Sequence, residues 1–166
     1  MLYVLFGEMG VGKNYVGERL AEHLKCDFFD GDEVLPESMR KKVESFKPLF
    51  LEDIDNYVDN FLIKAINDRA YRGQNLVVAQ ALYLRQHRDR IERKLSHHDV
   101  VMVYLPVPSR ITHMRRLFSR KNGLRWAIFG AFNSFFFEKP TGHDVRVIVN
   151  KNGAHLVSQF KHVLQT

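Results

Sequence analysis

A single cysteine, Cys26, in 166 residues allows no internal disulfide and suits a reducing compartment. No apolar run approaches the ~20 residues that a membrane-crossing helix needs, so no membrane partner is expected. The first apolar stretch, Leu2 to Phe6, has no basic lead and is taken up by a strand. An export signal is therefore not expected, and the location read from the sequence is cytoplasmic. Eight histidines show no ligand spacing beyond the adjacent pair His97-His98, a poor pattern for zinc. No repeat, low-complexity tract or linker interrupts the chain, and residues 1–166 are read as one domain of ordinary size.

Among the residues present, Gly7-Glu8-Met9-Gly10-Val11-Gly12-Lys13-Asn14 fits the phosphate-binding pattern G-x-x-x-x-G-K-[ST] at every fixed position but the last, where Asn14 replaces a hydroxyl residue. Glycines let successive backbone N–H groups turn inward around phosphate oxygens, and Lys13 can reach the outer phosphates. The context is the required one: a β-prone run precedes Gly7, and Val16, Leu20 and Leu24 follow on one helix face. The start of that helix points its unpaired N–H groups and dipole at the anion. The loop therefore predicts an ATP site built from Gly7, Glu8, Met9, Gly10, Val11, Gly12, Lys13 and Asn14. The missing hydroxyl bears on Mg²⁺, since Asn14 can offer the ion only a neutral carbonyl oxygen.

Apolar β-prone runs recur at Leu2–Phe6, Cys26–Asp30, Leu76–Ala79, Val100–Leu105 and Val145–Val149, with helical periodicity between them. Ile54, Val58, Phe61, Leu62, Ala65 and Ile66 form one stripe, which Gly73 is expected to end. Leu156, Val157, Phe160, Val163 and Leu164 predict a closing helix after Asn152-Gly153. Alternating β and α elements predict an α/β fold, a five-stranded parallel sheet with helices on both faces. Ligands bind such sheets at the carboxyl ends of the strands, where Gly7, Asp30, Asp32, Gln80 and Leu105 to Pro108 fall.

Asp30-Gly31-Asp32-Glu33 follows the second strand and sets two carboxylates beside the loop. There, one can hold a Mg²⁺-bound water and the other can accept the proton of an attacking hydroxyl. Arg115, Arg116, Arg120 and Arg125 follow the fourth strand and can neutralise charge on a transferred phosphoryl group; an exposed basic helix is the other reading. Trp126, Phe129, Asn133, Phe136 and Phe137 share one helix face and are expected to pack. Phe132 and Phe135 lie off it, and their exposure would mark a partner surface.

Taken together, this order of motifs resembles the small P-loop kinases of the gluconokinase and shikimate kinase type, the gluconokinases more closely, over most of residues 2–140. Asp30 to Pro36 is similar to the family segment D-G-D-x-x-H-P, and Lys47-Pro48-Leu49 to part of G-x-P-L. Val77 to Ile91 is similar to V-x-A-C-S-A-L-K-x-x-Y-R-D-x-L, and Arg120 to Arg125 stands in place of the lid sequence R-x-G-H-F-M. Phe132 to Glu138 stands in place of S-Q-x-x-x-L-E. The resemblance implies a lid near residues 120–126 and a substrate-side helical region near residues 34–72. It implies that Lys13 and the loop hold ATP, that Asp30 positions Mg²⁺, and that Asp32 deprotonates the acceptor hydroxyl. Arg116 would lie against adenine and Arg120 would reach the phosphates.

The chain departs from that pattern at Leu35 (family His), Leu84 (family Lys), and Gly123 and Arg125 (lid His and Met). Apolar groups at polyol-contacting positions leave the acceptor open, with a carbohydrate or sugar acid as first expectation. Two other readings stand beside this one: a degenerate kinase that binds nucleotide without turnover, and a nucleic-acid-directed protein. The net charge of +6 motivates the second, but the basic residues cluster locally instead of forming a long stripe, so nucleic acid is not the expected partner. The sequence is compatible with a homodimer.

Overall fold

Val, Leu and aromatic runs form the centre of the molecule because burial on both faces of a parallel sheet suits continuous apolar strands. A computed structural model describes residues 1–70, 74–119, 121–141, 145–150 and 153–164. The order is β1 (Leu2–Phe6), α1 (Lys13–Leu24), β2 (Asp27–Asp30), α2 (Glu37–Glu44), α3 (Leu51–Tyr57), α4 (Ile63–Arg69) and β3 (Leu76–Ala79). Then come α5 (Arg85–Lys94), β4 (Val100–Tyr104), α6 (Arg110–Phe118), α7 (Gly123–Ser134), β5 (Arg146–Val147) and α8 (Gly153–Leu164). The five strands form one sheet in the order β2-β3-β1-β4-β5, and every pairing is parallel. This is the expected α/β fold, a five-stranded parallel sheet with helices on both faces.

Alternation along β1 divides the core. Leu2, Val4 and Phe6 face a layer containing Met39, Tyr57, Leu62, Ile66, Ile91 and Leu95, while Tyr3 and Leu5 face Val16, Leu20, Leu156 and Phe160. Helices α2–α5 thus cover one face of the sheet and α1 and α8 the other. Three strands, β2, β4 and β5, are shorter than their apolar runs. Cys26 and Leu105 lie just outside β2 and β4, and β5, an edge strand paired to β4 alone, keeps only two residues.

The long apolar stripe is one continuous helical path with a π-helical turn at Val58–Leu62 between α3 and α4. A wider turn shifts the inward face. Tyr57 is buried, whereas Phe61, expected inside, is 38% exposed. Val157 of α8 and Phe136, which lies beyond the last residue of α7, are also exposed against expectation. Gly73 and Asn152, read as helix punctuation, lie outside the described residues. Residues 123–126, expected within a lid, form the first turn of α7.

Candidate active site

Gly7, Gly10 and Gly12 have φ of +150°, +82° and +91°, conformations that side chains resist, and together they turn the chain from β1 into α1. Space is also short: a Cβ on Gly12 would come within 2.3 Å of the Asn150 amide nitrogen. The loop's carbonyls are held by side chains. Val11 O accepts from Asn150 Nδ2 and from Arg116 Nη1, both at 2.9 Å, and Met9 O lies 2.5 Å from His113 Nε2. Lys13 Nζ donates to Gly7 O at 3.1 Å and Glu8 O at 3.0 Å. With its carbonyls engaged, the loop keeps a fixed curvature for which its remaining N–H groups suit an anion. The Glu8 carboxylate accepts from Ser134 Oγ of α7, and Met9 N donates to Tyr83 Oη at 3.1 Å. Burial chiefly, with Glu8 and Asp32 nearby, pushes the Tyr83 phenol up to about 12 despite the Met9 N–H.

At the end of β2 the backbone enters a 3-10 turn, Gly31–Val34, capped by Asp30. Asp30 Oδ1 accepts from Asp32 N at 3.0 Å, and its other oxygen accepts from the Asn14 amide. Asn14 therefore links the first turn of α1 to the carboxylate that the sequence nominated for Mg²⁺. Asp32 Oδ1 accepts from Gln80 Nε2 at 3.1 Å. Gln80 is fixed in turn, because its Oε1 accepts from Ala81 N at 2.6 Å and its Nε2 also donates to Tyr57 Oη at 2.5 Å. Tyr57 Oη then donates to Gly31 O at 2.8 Å. Each donor and acceptor in this chain has one consistent direction, so Asp32 sits on a buried, oriented support.

The residue Asp32 retains open surface, but protein atoms crowd its carboxyl from the Gln80 side. That desolvation, followed by repulsion from Asp30, raises its pKa above the usual carboxylate value; Gln80, Lys13 and Arg40 oppose the shift. A raised carboxyl beside an anion loop has the character of a proton acceptor for a hydroxyl.

Asp30, Asp32, Lys13, Asn14 and Arg116 are thus gathered at one edge of the sheet. Arg116 also donates to Asn150 O at 3.3 Å, so in this conformation it braces the loop. Arg115 is exposed, and Arg125 lies 5.9 Å from the centre of the Phe46 ring. Arg120 lies outside the described residues. Sequence reasoning placed Gln80 at the ligand edge without a role and missed Tyr57, Tyr83, His113 and Asn150. The contacts by which Tyr83, His113 and Asn150 reach the phosphate loop span 74 to 139 residues of chain and the Tyr57 contacts span 23 and 26, and no local pattern carries such information.

Arg88 falls in the stretch Val77 to Ile91 that resembles a kinase segment, where a guanidinium suits an anionic acceptor. Instead, it donates to Leu82 O at 2.7 Å, Tyr83 O at 3.1 Å and Glu138 O at 2.8 Å, with Phe6 and Phe137 over its guanidinium. It holds the segment after β3 in place. For Mg²⁺, the donor set is one of hard oxygens: the Asp30 and Asp32 carboxylates, with the Asn14 carbonyl available if its amide turns over. That fits an ion that takes one or two carboxylates and completes its shell with water and phosphate. Among the described residues no group of three or more His, Cys, Asp or Glu is placed to cage a metal alone.

The shikimate kinase family model matches residues 9–125. A "Probable gluconokinase" of Schizosaccharomyces pombe is 25% identical over 152 residues, covering 89% of this chain and 77% of that protein. The thermoresistant gluconokinase of Escherichia coli is 34% identical over 86 residues, 49% of this chain and 46% of that protein. Among solved structures, a gluconokinase from Sinorhizobium meliloti superposes with a TM-score of 0.75 at 20% identity, covering 97% of this chain and 91% of that one.

Proposed function

The chain belongs to the shikimate kinase family, and from that premise we propose that it transfers the γ-phosphoryl group of ATP to a hydroxyl of a small metabolite, a sugar acid or related carbohydrate being the first candidate. The observation that carries the reading is the Asp32 carboxylate, held by Gln80 and raised in pKa, on the same strand edge as the phosphate loop. In the reaction, the loop N–H groups and the α1 N-terminus bind the phosphates. Lys13 releases the Gly7 and Glu8 carbonyls and follows the charge on the transferred group. Asp32 orients the acceptor hydroxyl and takes its proton as the oxygen–phosphorus bond forms and the bond to ADP breaks. Mg²⁺, held through Asp30 with Asn14 beside it, would supply charge neutralisation on the phosphates. The names of the similar proteins support a sugar acid as acceptor, and Leu35 and Leu84 favour one with fewer polar contacts than gluconate.

The test is ADP release from Mg·ATP across a panel of sugar acids and polyols. The reading expects release that depends on one acceptor and falls by on the order of a hundredfold or more in Lys13→Ala. ATP binding by calorimetry without acceptor-dependent release under any divalent metal would instead establish a nucleotide binder without turnover.

A further inference from the structure

The net charge of this protein resides in one segment. No Asp or Glu occurs between Asp99 and Glu138, and that interval holds Arg110, Arg115, Arg116, Arg120, Lys121 and Arg125. These six cations equal the whole net charge of +6, so the charges in the rest of the chain cancel. After β4, the described residues of this interval include the consecutive, mutually packed helices α6 and α7. Ser109 starts α6 by accepting the Thr112 N–H at 3.0 Å. The two helices meet through Leu117 of α6 and Gly130 of α7, where a Cβ would come within 3.0 Å of the Leu117 side chain.

With Leu117, His113, Ala127, Phe129 and Gly130 turned inward, the outward faces follow. On α6 they carry Ile111, Met114 and Phe118, at i, i+3 and i+7. On α7 and its end they carry Leu124, Ile128, Phe132 and Phe135, at i, i+4, i+8 and i+11. Ile111 is 78% exposed, Ile128 64% and Phe135 88%. Seven large apolar side chains on one helical pair is far more than the scattered exposure expected of a free surface. Arg110 and Arg115 flank the α6 stripe, and exposed Lys121 and Arg125 stand at the turn into α7.

We propose that the α6–α7 hairpin is an interfacial docking surface for an anionic lipid membrane, with its apolar stripes entering the headgroup boundary and its flanking cations meeting acidic headgroups. Charge complementarity selects this occupant. A second copy would bring acid-free basic faces against each other, stripe on stripe, with no carboxylate in the interval to offset the repulsion. A single-stranded nucleic acid would use the cations and could stack on Phe118, Phe132 and Phe135, but it would leave the exposed Ile111, Met114, Leu124 and Ile128 in water. An anionic bilayer satisfies both the cations and the aliphatic side chains. The sequence expectation of no membrane partner rested on the lack of a spanning run. Peripheral contact is a different matter and becomes visible only once burial shows which helix faces are left outward.

The test is co-sedimentation of the whole protein with vesicles of phosphatidylcholine alone and of phosphatidylcholine with roughly 30 mol% phosphatidylserine. The proposal expects binding to the anionic vesicles, weakening as salt rises, and little binding to the neutral ones. Ile128→Glu with Phe135→Glu, and separately Arg110→Gln with Arg115→Gln, should each lower partitioning by about tenfold or more. Unchanged thermal melting and near-ultraviolet circular dichroism would certify both variants as folded, and the second pair keeps the test intact if the first misfolds. Equal binding to both vesicle types, or binding to neither, overturns the proposal. So does concentration-dependent dimerisation that the apolar pair abolishes without any vesicle binding, and so does preferential low-salt binding to a single-stranded oligonucleotide.

Discussion

Asp32 owes its position to a residue that does not border it in sequence. Gln80 donates to its Oδ1 at 3.1 Å and is oriented by the Ala81 N–H and by Tyr57. Gln80→Ala removes the donor to the charged carboxylate and leaves the Tyr57 hydroxyl short of one partner. Losing a hydrogen bond to a charged group costs roughly 1.5–3 kcal/mol, and a fall of about tenfold or more in kcat/KM for the acceptor is expected, with the ATP KM little changed; steady-state kinetics in both substrates checks this. His87 gives a second prediction. Its ring is fully buried, Nε2 bonds Asp55 at 3.0 Å, and Nδ1 has no hydrogen-bond partner among the described residues. Burial lowers its pKa below the ordinary 6.5, outweighing Asp55. The unfolded chain therefore takes up this proton first as pH falls. The contribution to stability is complete above 6.5 and is lost as pH drops through that value toward the lower folded one. Urea midpoints at about pH 7.5 and 5.5 should diverge more in the native protein than in His87→Gln.

Among the elements, α1 shows packing overriding propensity. Gly17 is an interior helix position where alanine would ordinarily gain about 1 kcal/mol. A Cβ there would lie 2.4 Å from Cε2 of Phe28 on β2, so Gly17→Ala is expected to destabilise by about 1–2 kcal/mol net, read from the urea midpoint. The strands were legible because burial on both faces demands unbroken apolar runs, and β1 and β3 match those runs end to end. The interior of the α3–α4 path was not: periodicity assumes a constant pitch, and the π-helical turn at Val58–Leu62 breaks it, bringing Tyr57 in and turning Phe61 out. The turn of the glycine loop and the placing of Asp30 and Asp32 after β2 were legible because both are written in contiguous residues. The network through Gln80, Tyr57 and Asn150 was not, since it is made by the sheet order β2-β3-β1 and by the return of the chain after β5.

At the scale of the whole molecule, the charge-balanced remainder of the chain carries the loop and the Asp30–Asp32 turn, while the net charge lies in the stretch from Arg110 to Arg125 that includes α6 and the start of α7. Asn14 joins the parts of the site, tying α1 to the Asp30 carboxylate. A hydroxyl there would free that carboxylate for the metal, so Asn14→Thr is expected to tighten the Mg²⁺ dependence of ATP binding by several-fold, measured by calorimetry at varied metal. The central claim is phosphoryl transfer to a hydroxyl with Asp32 as proton acceptor. It is tested most directly by ³¹P NMR of Mg·ATP with the acceptor that raises ADP release, comparing the native protein with Asp32→Asn. The account predicts a new phosphate monoester resonance growing in step with ADP, slowed in Asp32→Asn by on the order of a hundredfold or more while ATP still binds. Inorganic phosphate as the sole product, or a monoester formed equally fast by Asp32→Asn, would contradict it.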